Sequence, residues 1–186
     1  MSKPYRLIIL DRDGVINHDS DDYIKSAGEW QPIAGSLAAI HQLCQAGFLV
    51  AVASNQAGVA RGIFTQQALE DIHAKMQHLL ASVGSHLADV RYCLEGPDSN
   101  SPRRKPNPGM LLESMEKLQC MAAETLFVGD SYTDFQAAER AACDFVLVKT
   151  GKGQRTLAKH SELETTVAVY EDLATLSSHL IEDRKS

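Results

Sequence analysis

Short runs of apolar residues alternate along the chain with stretches whose apolar residues recur every three or four positions. The runs of strand length cover residues 6–10, 48–53, 90–93, 125–128 and 145–148. The stretches of helical spacing cover residues 35–46, 65–83, 133–142 and a segment that starts at 107, and a last strand and helix fit residues 167–180. This alternation predicts a three-layer α/β fold, a Rossmann-like parallel sheet with helices on both faces.

Capping residues predict where two of these helices begin. Ser36 is the candidate N-cap of the first helix, and Gly47 follows its last residue. Pro108 is predicted at the first position of the helix that starts near residue 107, where its missing N–H costs nothing.

Composition and charge limit the classes of protein to which the chain can belong. Its 186 residues, 44% hydrophobic and 23% charged, suit one folded domain, predicted over residues 1–181, with residues 182–186 expected to fray. The net charge of −6 argues against binding to nucleic acid. We find no apolar stretch of membrane-spanning length, no signal peptide and four scattered cysteines, so we expect a cytoplasmic protein with reduced thiols.

Polar residues that can carry chemistry follow the predicted strands. Parallel strands bring their carboxyl ends to one edge of a sheet, and ligands bind in the crevice at that edge. The residues are Asp11 and Asp13 after the first strand, Ser54, Asn55 and Gln56 after the second, Arg103, Arg104 and Lys105 before the helix near 107, and Asp130 and Asp134 after the run 125–128. Carboxylates with water suit Mg²⁺ better than zinc, and a metal beside a lysine and a hydroxyl suits a phosphoryl group.

Each of these residues has a simpler interpretation when it is taken alone. Asp134 fits the first turn of a helix, where an acid is favourable, and Ser54 fits an ordinary N-cap. Lys105 alone would be a solvated surface lysine, and the acids between residues 19 and 22 would be turn residues. Their joint occurrence in this order, at the ends of strands, favours a phosphoryl-transfer site.

The ordered set resembles the motifs of the haloacid-dehalogenase-like phosphohydrolases. The motifs are Asp11-Arg12-Asp13-Gly14 after a strand, Ser54 at the end of a strand, Lys105 ahead of a helix, and Gly129-Asp130 followed by Asp134. The resemblance implies that Asp11 attacks phosphorus, forming an aspartyl-phosphate, and that Asp13 is the general acid and base. It implies that Ser54 and Lys105 hold the phosphoryl oxygens. It further implies that Mg²⁺ binds to Asp11, Asp13 (through its backbone carbonyl) and Asp130, with Asp134 behind these ligands.

Three longer stretches resemble one family of these phosphatases, which acts on heptose 1,7-bisphosphate. They are LDRDGVIN, SNQAGVARG and RRKPNPGMLL, and the short separation between Asp13 and the first helix fits members without a cap domain. This resemblance implies a monomeric, cytoplasmic enzyme that removes the 7-phosphate of D-glycero-D-manno-heptose 1,7-bisphosphate for lipopolysaccharide core synthesis. The residues implied to contact this sugar bisphosphate are Asp19, Tyr23, Asn55, Gln56 and Arg104.

Other functions stay open on the sequence. A histidinol-phosphate phosphatase shares the motifs, although the stretches NQAGVARG and KPNPGML favour the heptose family. A non-catalytic protein could keep this fold for binding, although complete motifs argue against that role. A nucleic-acid 3′-phosphatase shares the Asp-x-Asp chemistry but fits the acidic charge poorly.

One departure from the resemblance concerns a zinc ion that many relatives carry in the third loop. The aligned positions here hold Cys93, Glu95, Ser101 and Arg103. A structural zinc site needs four ligands, and arginine cannot serve as one, so no structural zinc is predicted. The three prolines of the loop are expected to order it by removing backbone freedom.

Two further features are ambiguous on the sequence. Trp30 and Tyr23 either line the pocket or pack against the fold. Residues 149–153, KTGKG, lack the spacing of a P-loop and are interpreted as a loop, with contact to a distal phosphate as the alternative.

Overall fold

Six parallel strands form the central layer of the computed structural model, which describes residues 5–185. The strands are β1 Leu7–Leu10, β2 Leu49–Asn55, β3 Asp89–Cys93, β4 Thr125–Gly129, β5 Asp144–Val148 and β6 Ala168–Tyr170. Their order across the sheet is β3-β2-β1-β4-β5-β6, and every neighbouring pair is parallel. The chain moves outward one way from β1 to β3 and the other way from β4 to β6. A topological switch point therefore lies between β1 and β4, where such sheets bind ligands.

Helices cover both faces of this sheet, so the predicted three-layer α/β fold is confirmed. The helices are α1 Ser36–Gln45, α2 Gln66–Ser82, α3 Gly109–Leu118, α4 Tyr132–Ala141, α5 Gly153–Lys159, α6 Leu163–Thr166 and α7 Leu173–Lys185. Buried side chains of α1, α2 and α7 pack on one face, and those of α3 to α6 pack on the other. None of the helices within residues 5–185 has the length and apolar character needed to cross a bilayer.

Strand β1 shows why its sequence is apolar throughout. Ile8 and Leu10 face the core layer of α1, α2 and α7, whereas Leu7 and Ile9 face the opposite layer, and all four are fully buried. Each such side chain contributes about 1.5–3 kcal/mol relative to an exposed one. A strand buried on both faces has no place for polar residues. The first polar residue, Asp11, therefore appears where the strand leaves the sheet.

Two helix starts differ from the sequence prediction. Gly35, with a φ of 83°, is the N-cap of α1, and the Ser36 hydroxyl donates to the Ile16 carbonyl at 2.7 Å instead of capping the helix. Pro108 is the N-cap of α3, so this helix begins one residue later than predicted, at Gly109. The Ser36 side chain makes a tertiary contact and Pro108 precedes the first turn, so neither residue has the helix position that the local pattern predicted.

The carboxyl-terminal helix is longer than the sequence indicated. Helix α7 continues to Lys185, so residues 182–185, which the sequence left as a fraying tail, form its last turn. The guanidinium of Arg184 lies 4.4 Å from the centre of the Phe48 ring, and this contact holds the last turn on the core. Trp30 is fully buried in the core layer, which favours the packing interpretation of that residue.

Asp89 joins strand β3 to helix α3 through a buried carboxylate. It accepts hydrogen bonds from Arg91 Nε at 2.6 Å, from Lys117 Nζ at 2.8 Å and from Ser114 Oγ at 2.9 Å. Burial alone would raise the pKa of Asp89, but the bonds from Lys117, Arg91 and Ser114 outweigh it and lower the pKa below its ordinary value. Because β3 and α3 flank the loop that carries Lys105, this network fixes both ends of that loop.

We expect Asp89→Asn to lower the free energy of unfolding by about 2 kcal/mol at neutral pH, because an amide loses the charge-assisted hydrogen bonds. A carboxyl group whose pKa is lowered by folding contributes stability above its unfolded pKa, near 3.9, and this stability is lost as the pH falls through the folded pKa. The difference from wild type should therefore be constant above about pH 5 and shrink below about pH 4.

Urea unfolding followed by circular dichroism across this pH range measures the effect. Asp98→Asn, at an exposed position of the third loop, is the matched control and should leave the stability unchanged. A difference for Asp89→Asn that is the same at every pH would contradict the role of its ionised carboxylate.

Candidate active site

The carboxyl ends of β1, β2 and β4 open into a cavity of about 380 Å³. Every side chain that the sequence predicted to catalyse, to bind metal or to contact the sugar phosphate lines this cavity. The expectation that these residues meet at one edge of the sheet therefore agrees with the structure.

A buried lysine connects the candidate nucleophile to the fourth motif. Lys105 Nζ lies 3.0 Å from Asp11 Oδ2 and 2.6 Å from Asp134 Oδ1, and its side chain is 2% exposed. Burial alone would lower the pKa of Lys105, but the Asp11 and Asp134 carboxylates raise it above its ordinary value. The ammonium group is therefore charged and holds the two carboxylates on either side of it.

Asp134 is the first-turn acid of its helix, as the simpler interpretation predicted, and it also contacts the buried lysine, while its role behind the metal ligands stays a prediction. Its Oδ2 accepts from the backbone N–H and the hydroxyl of Ser131, the N-cap of α4, at 3.1 and 2.6 Å. Its Oδ1 faces Lys105. Asp134 is therefore the capping acid of its helix and the partner of the buried lysine at the same time, and both of its oxygens are engaged.

Four N–H donors hold the second aspartate of the Asp-x-Asp motif. Asp13 Oδ1 accepts from Arg12 Nε at 3.0 Å and Asn17 Nδ2 at 2.8 Å, and Oδ2 accepts from Arg12 NH2 at 2.9 Å and Gln56 Nε2 at 2.8 Å. Burial alone would raise the pKa of Asp13, but Arg12, Asn17 and Gln56 outweigh it and lower the pKa. Asp11 and Asp13 thus have separate cationic partners, which explains how carboxylates two positions apart are accommodated.

Two glycines leave the space that the Asp130 carboxylate occupies. A Cβ built on Gly14 or on Gly151 would clash with Asp130 Oδ2, and these residues have φ angles of 87° and 58°. Glycine alone meets both the steric and the conformational demand at low cost. The backbone N–H of Lys152 donates to the same oxygen at 2.7 Å, so the loop after β5 orients Asp130.

Asp11, Asp130 and Asp134 form an acidic cluster in which one oxygen from each lies within 4.8 Å of the others. Burial raises the pKa of Asp11 to about 6, although Lys105 opposes the shift. Burial and the neighbouring charges of Asp134 and Asp11 raise the pKa of Asp130 well above its ordinary value. The raised pKa values show that full ionisation of the three carboxyl groups would give more negative charge than Lys105 neutralises.

This donor set fits a magnesium ion. Carboxylate oxygens are hard ligands that suit Mg²⁺, and a divalent cation would neutralise the excess negative charge. Asp11, Asp130 and Asp134 all bring a carboxylate oxygen to this place, and the assignment of Asp11 and Asp130 as the direct ligands stays a prediction from the sequence resemblance.

Side chains at the end of β2 contact protein groups inside the cavity. Asn55 Nδ2 donates to the Lys105 carbonyl at 3.0 Å, and Asn55 Oδ1 accepts from the Lys105 backbone N–H at 3.1 Å. Gln56, which is 3% exposed, donates to Ser54 Oγ at 3.1 Å as well as to Asp13. Both residues line the cavity as predicted, but the amide groups expected to contact the sugar are used to position Lys105, Ser54 and Asp13.

Ser54 itself belongs to a strand. It pairs with Tyr92 of β3 in the sheet and is 2% exposed. The alternative interpretation of Ser54 as a helix N-cap is therefore wrong, because the next helix begins only at Gln66.

Charged side chains surround the mouth of the cavity. Lys152 Nζ lies 2.8 Å from Asp19 Oδ2, and Arg155 forms a bidentate ion pair with Asp21 at 3.0 and 3.1 Å. These pairs attach the segment after the first motif to the loop after β5 and to α5. The KTGKG stretch thus reaches the cavity through Lys152, one of its lysines.

Two arginines at the mouth have neutral partners. Arg61 NH1 donates to the Tyr23 hydroxyl at 2.6 Å, and Arg104 NH1 donates to the Glu95 carbonyl at 3.0 Å. Neither arginine forms an ion pair with a carboxylate in the described part of the chain, whereas Lys105 and Lys152 both do. Sequence reasoning missed Arg61, although it lies in the SNQAGVARG stretch that follows β2.

Hydrogen bonds and an ion pair order the third loop at the positions aligned with zinc ligands. Cys93 Sγ donates to Glu95 Oε2 at 2.8 Å, and Ser101 Oγ accepts from the Arg103 backbone N–H at 3.3 Å. Arg103 Nε lies 3.0 Å from Glu113 Oε1 in α3. These residues do not fit a zinc site, because an arginine that cannot bind metal stands in the place of one ligand.

Comparison with known proteins finds relatives along nearly the whole chain. A D-glycero-beta-D-manno-heptose-1,7-bisphosphate 7-phosphatase from Pseudomonas putida is 48% identical over 176 residues, which cover 95% of this chain and 99% of the relative. A protein of the same name from Neisseria meningitidis is 42% identical, with 96% of each chain covered. This chain belongs to the heptose-1,7-bisphosphate 7-phosphatase family.

Solved structures agree with this assignment to the family of heptose-bisphosphate phosphatases. A D,D-heptose 1,7-bisphosphate phosphatase from Bordetella bronchiseptica, complexed with magnesium and phosphate, is 44% identical with a TM-score of 0.91, covering 96% of this chain and 99% of that one. The corresponding enzyme from Burkholderia thailandensis is 35% identical with a TM-score of 0.74, covering 95% and 98%. A HAD-hydrolase-like family model matches residues 102–176. The resemblance drawn from the motifs is confirmed.

We expect Gly151→Ala to weaken Mg²⁺ binding to this phosphatase at least about tenfold, because the added methyl group displaces the Asp130 carboxylate. Calorimetric titration of the folded protein with Mg²⁺ measures the affinity. Gly62→Ala is the matched control, since Gly62 also has a positive φ, 66°, but no atom lies within 4 Å of a Cβ built there. Equal affinities for the two variants would contradict the role of the glycine in placing Asp130.

Proposed function

We propose that the chain is a Mg²⁺-dependent phosphatase that removes the 7-phosphate of D-glycero-D-manno-heptose 1,7-bisphosphate. The names of its relatives suggest this substrate. The observation that carries the proposal is the charge pattern of the cavity. A buried group of Asp11, Lys105 and Asp134 lies at its base, and two arginines without carboxylate partners lie at its mouth. This pattern suits a substrate with one phosphate that reacts and another that stays.

The residues at the base of the cavity supply the chemistry. Asp11 attacks phosphorus, the bond from phosphorus to the sugar oxygen breaks, and Asp13 gives its proton to that oxygen. A water molecule then attacks the aspartyl-phosphate, Asp13 takes the proton from it, and inorganic phosphate leaves with Asp11 restored. Lys105 and Ser54 hold the phosphoryl oxygens through both steps. Mg²⁺, when bound by Asp11, Asp130 and the Asp13 carbonyl, supplies positive charge that offsets the charge of the phosphoryl group.

Asp13 must change its protonation state during this cycle. Against the effect of burial, the positive charge of Arg12 and the hydrogen bonds lower the pKa of Asp13, which favours the carboxylate that accepts a proton from water. A phosphate group entering the cavity brings negative charge next to Asp13, and this charge favours the protonated form that the first step needs.

The arginines at the mouth form the subsite for the phosphate that is retained. Arginine binds phosphate oxygens through paired N–H donors, and an arginine already neutralised by a carboxylate has less to gain from a phosphate. When they bind an anion, Arg61 loses only a hydrogen bond to a phenol and Arg104 loses only a hydrogen bond to a backbone carbonyl. Asp19 and Tyr23, which also line the mouth, are positioned to contact the sugar between the two phosphates.

The proposal includes the setting expected from the sequence. We infer a monomeric, cytoplasmic enzyme that acts on a small sugar bisphosphate in the synthesis of ADP-heptose and the lipopolysaccharide core, without a nucleic-acid or membrane partner. The net charge of −6 supports a small ligand over a nucleic acid.

The proposal is tested by phosphate release from heptose 1,7-bisphosphate, histidinol phosphate and fructose 1,6-bisphosphate, each with Mg²⁺ and with EDTA. We expect the highest kcat/KM for the heptose compound and no turnover with EDTA. Asp11→Asn should abolish turnover, a loss of at least about 10⁴-fold, because an amide is not a nucleophile, while the thermal transition stays intact.

Other outcomes of this comparison identify other functions. Preference for histidinol phosphate would assign the same catalytic residues to histidinol-phosphate hydrolysis. No turnover of any ester by a folded, Mg²⁺-binding protein would favour a non-catalytic binding role.

We expect Arg61→Met and Arg104→Met each to reduce kcat/KM for the bisphosphate by about 10- to 100-fold, mainly through a higher KM, since each removes a charged hydrogen bond to the retained phosphate. Turnover of p-nitrophenyl phosphate, which has no second phosphate, should change less than about twofold. Arg140→Met, an exposed arginine on α4, is the matched control. Equal losses on both substrates would contradict a subsite for the retained phosphate and indicate a role in ordering the loops.

A further inference from the structure

We infer that Arg12, the middle residue of the Asp-x-Asp motif, is a positioning residue for the acid/base carboxylate of Asp13. This inference rests on the phosphatase chemistry proposed above, but it does not depend on which sugar phosphate is the substrate.

Arg12 is the only donor residue that contacts both oxygens of Asp13 in the described part of the chain. Its Nε donates to Oδ1 at 3.0 Å and its NH2 donates to Oδ2 at 2.9 Å, whereas Asn17 reaches only Oδ1 and Gln56 only Oδ2. A two-point contact from a planar guanidinium fixes the plane of a carboxylate as well as its distance. The rotation of the Asp13 carboxylate about its last torsion is therefore set by Arg12.

Tyr92 in turn contacts the guanidinium of Arg12. Arg12 is fully buried, although it carries a charge, and its guanidinium carbon lies 5.7 Å from the centre of the Tyr92 ring. The Tyr92 hydroxyl is 3.3 Å from Nδ1 of His73 in α2, and the two rings meet edge to face. Strand β3 and helix α2 thus support the arginine, which in turn supports Asp13.

This support matters because Asp13 acts twice on atoms in nearly the same place. It gives a proton to the departing sugar oxygen and later takes one from the water that replaces it. A carboxylate that turned away between these events would slow both steps. Arg12 also compensates the charge of Asp13 locally, so that Lys105 remains available to Asp11.

Lysine cannot replace this function. An ammonium group can compensate the charge of Asp13, but it is a point donor without a planar pair of N–H groups. Arg12→Lys therefore separates charge compensation from two-point positioning.

The test compares kcat and KM of Arg12→Lys and wild type with p-nitrophenyl phosphate, alongside thermal unfolding. We expect kcat to fall about 30-fold with KM within about threefold, because the base that takes the proton from water is misplaced while the phosphoryl site is intact, and p-nitrophenolate leaves without a general acid. Arg91→Lys is the matched control, since Arg91 also donates to a buried carboxylate, that of Asp89, but outside the cavity. Its kcat should stay within about twofold of wild type.

Two further variants keep the test decisive if Arg12→Lys folds poorly. Tyr92→Leu removes the ring and the hydroxyl behind the guanidinium and should lower kcat by about three- to tenfold, whereas Tyr92→Phe keeps the ring and should lower kcat less than Tyr92→Leu does. When Asp13→Asn is already present, adding Arg12→Lys should lower kcat by less than about twofold, because a positioning residue acts only through the group that it positions.

The results divide clearly. A folded Arg12→Lys enzyme with wild-type kcat would overturn the inference. The inference would also fail if Arg12→Lys lowered kcat by the same factor in the wild type and in the Asp13→Asn variant. A fall in kcat that comes with a higher KM and a matching loss of thermal stability would also overturn the inference, because it would indicate a purely structural ion pair. An inactive wild type would instead overturn the proposed function itself.

Discussion

The buried ammonium group of Lys105 is the interaction on which the rest of the site depends. A charged lysine removed from water is stable only when anionic partners replace its hydration, and here Asp11 and Asp134 do so. Asp11 comes from the end of β1 and Asp134 from the first turn of α4, while Asn55 holds the backbone of Lys105 from the end of β2. The position of one cation therefore ties together three segments that are distant in sequence.

Pairing each carboxylate with its own cation gives the two aspartates of one motif different properties. Asp11 lies among other acids, and burial raises its pKa to about 6, whereas Arg12 and two amide donors lower the pKa of Asp13. Environments that shift two nearby carboxyl groups in opposite directions are typical of sites that use them for different steps. The motif is thus chemically asymmetric before any substrate binds.

Much of the fold and the location of the site follow from the sequence, because strands buried on both faces must be apolar throughout and their polar neighbours must gather at one edge. The directions of individual side chains do not follow. Asn55 and Gln56 stand at the predicted edge, yet their amides turn towards Lys105, Ser54 and Asp13 rather than the open cavity. Arg61 lies at the mouth because of the path of its loop, and the sequence pattern does not reveal that path. Helix α5, seven residues long, has too few apolar positions for periodicity to reveal it.

The contact between Asp130 and the loop after β5 has a consequence for the order in which the enzyme becomes complete. All four motifs precede residue 135, but the wall beside Asp130 is formed by Gly151 and the N–H of Lys152. A nascent chain that has reached β5 on the ribosome already carries the proposed nucleophile, the lysine and every acid of the cluster. It still lacks the residues that orient Asp130 and the α7 helix that packs on α1. The surroundings of Asp130 are therefore completed by the last fifth of the chain, so an unfinished polypeptide has the motifs without the residues that orient this carboxylate.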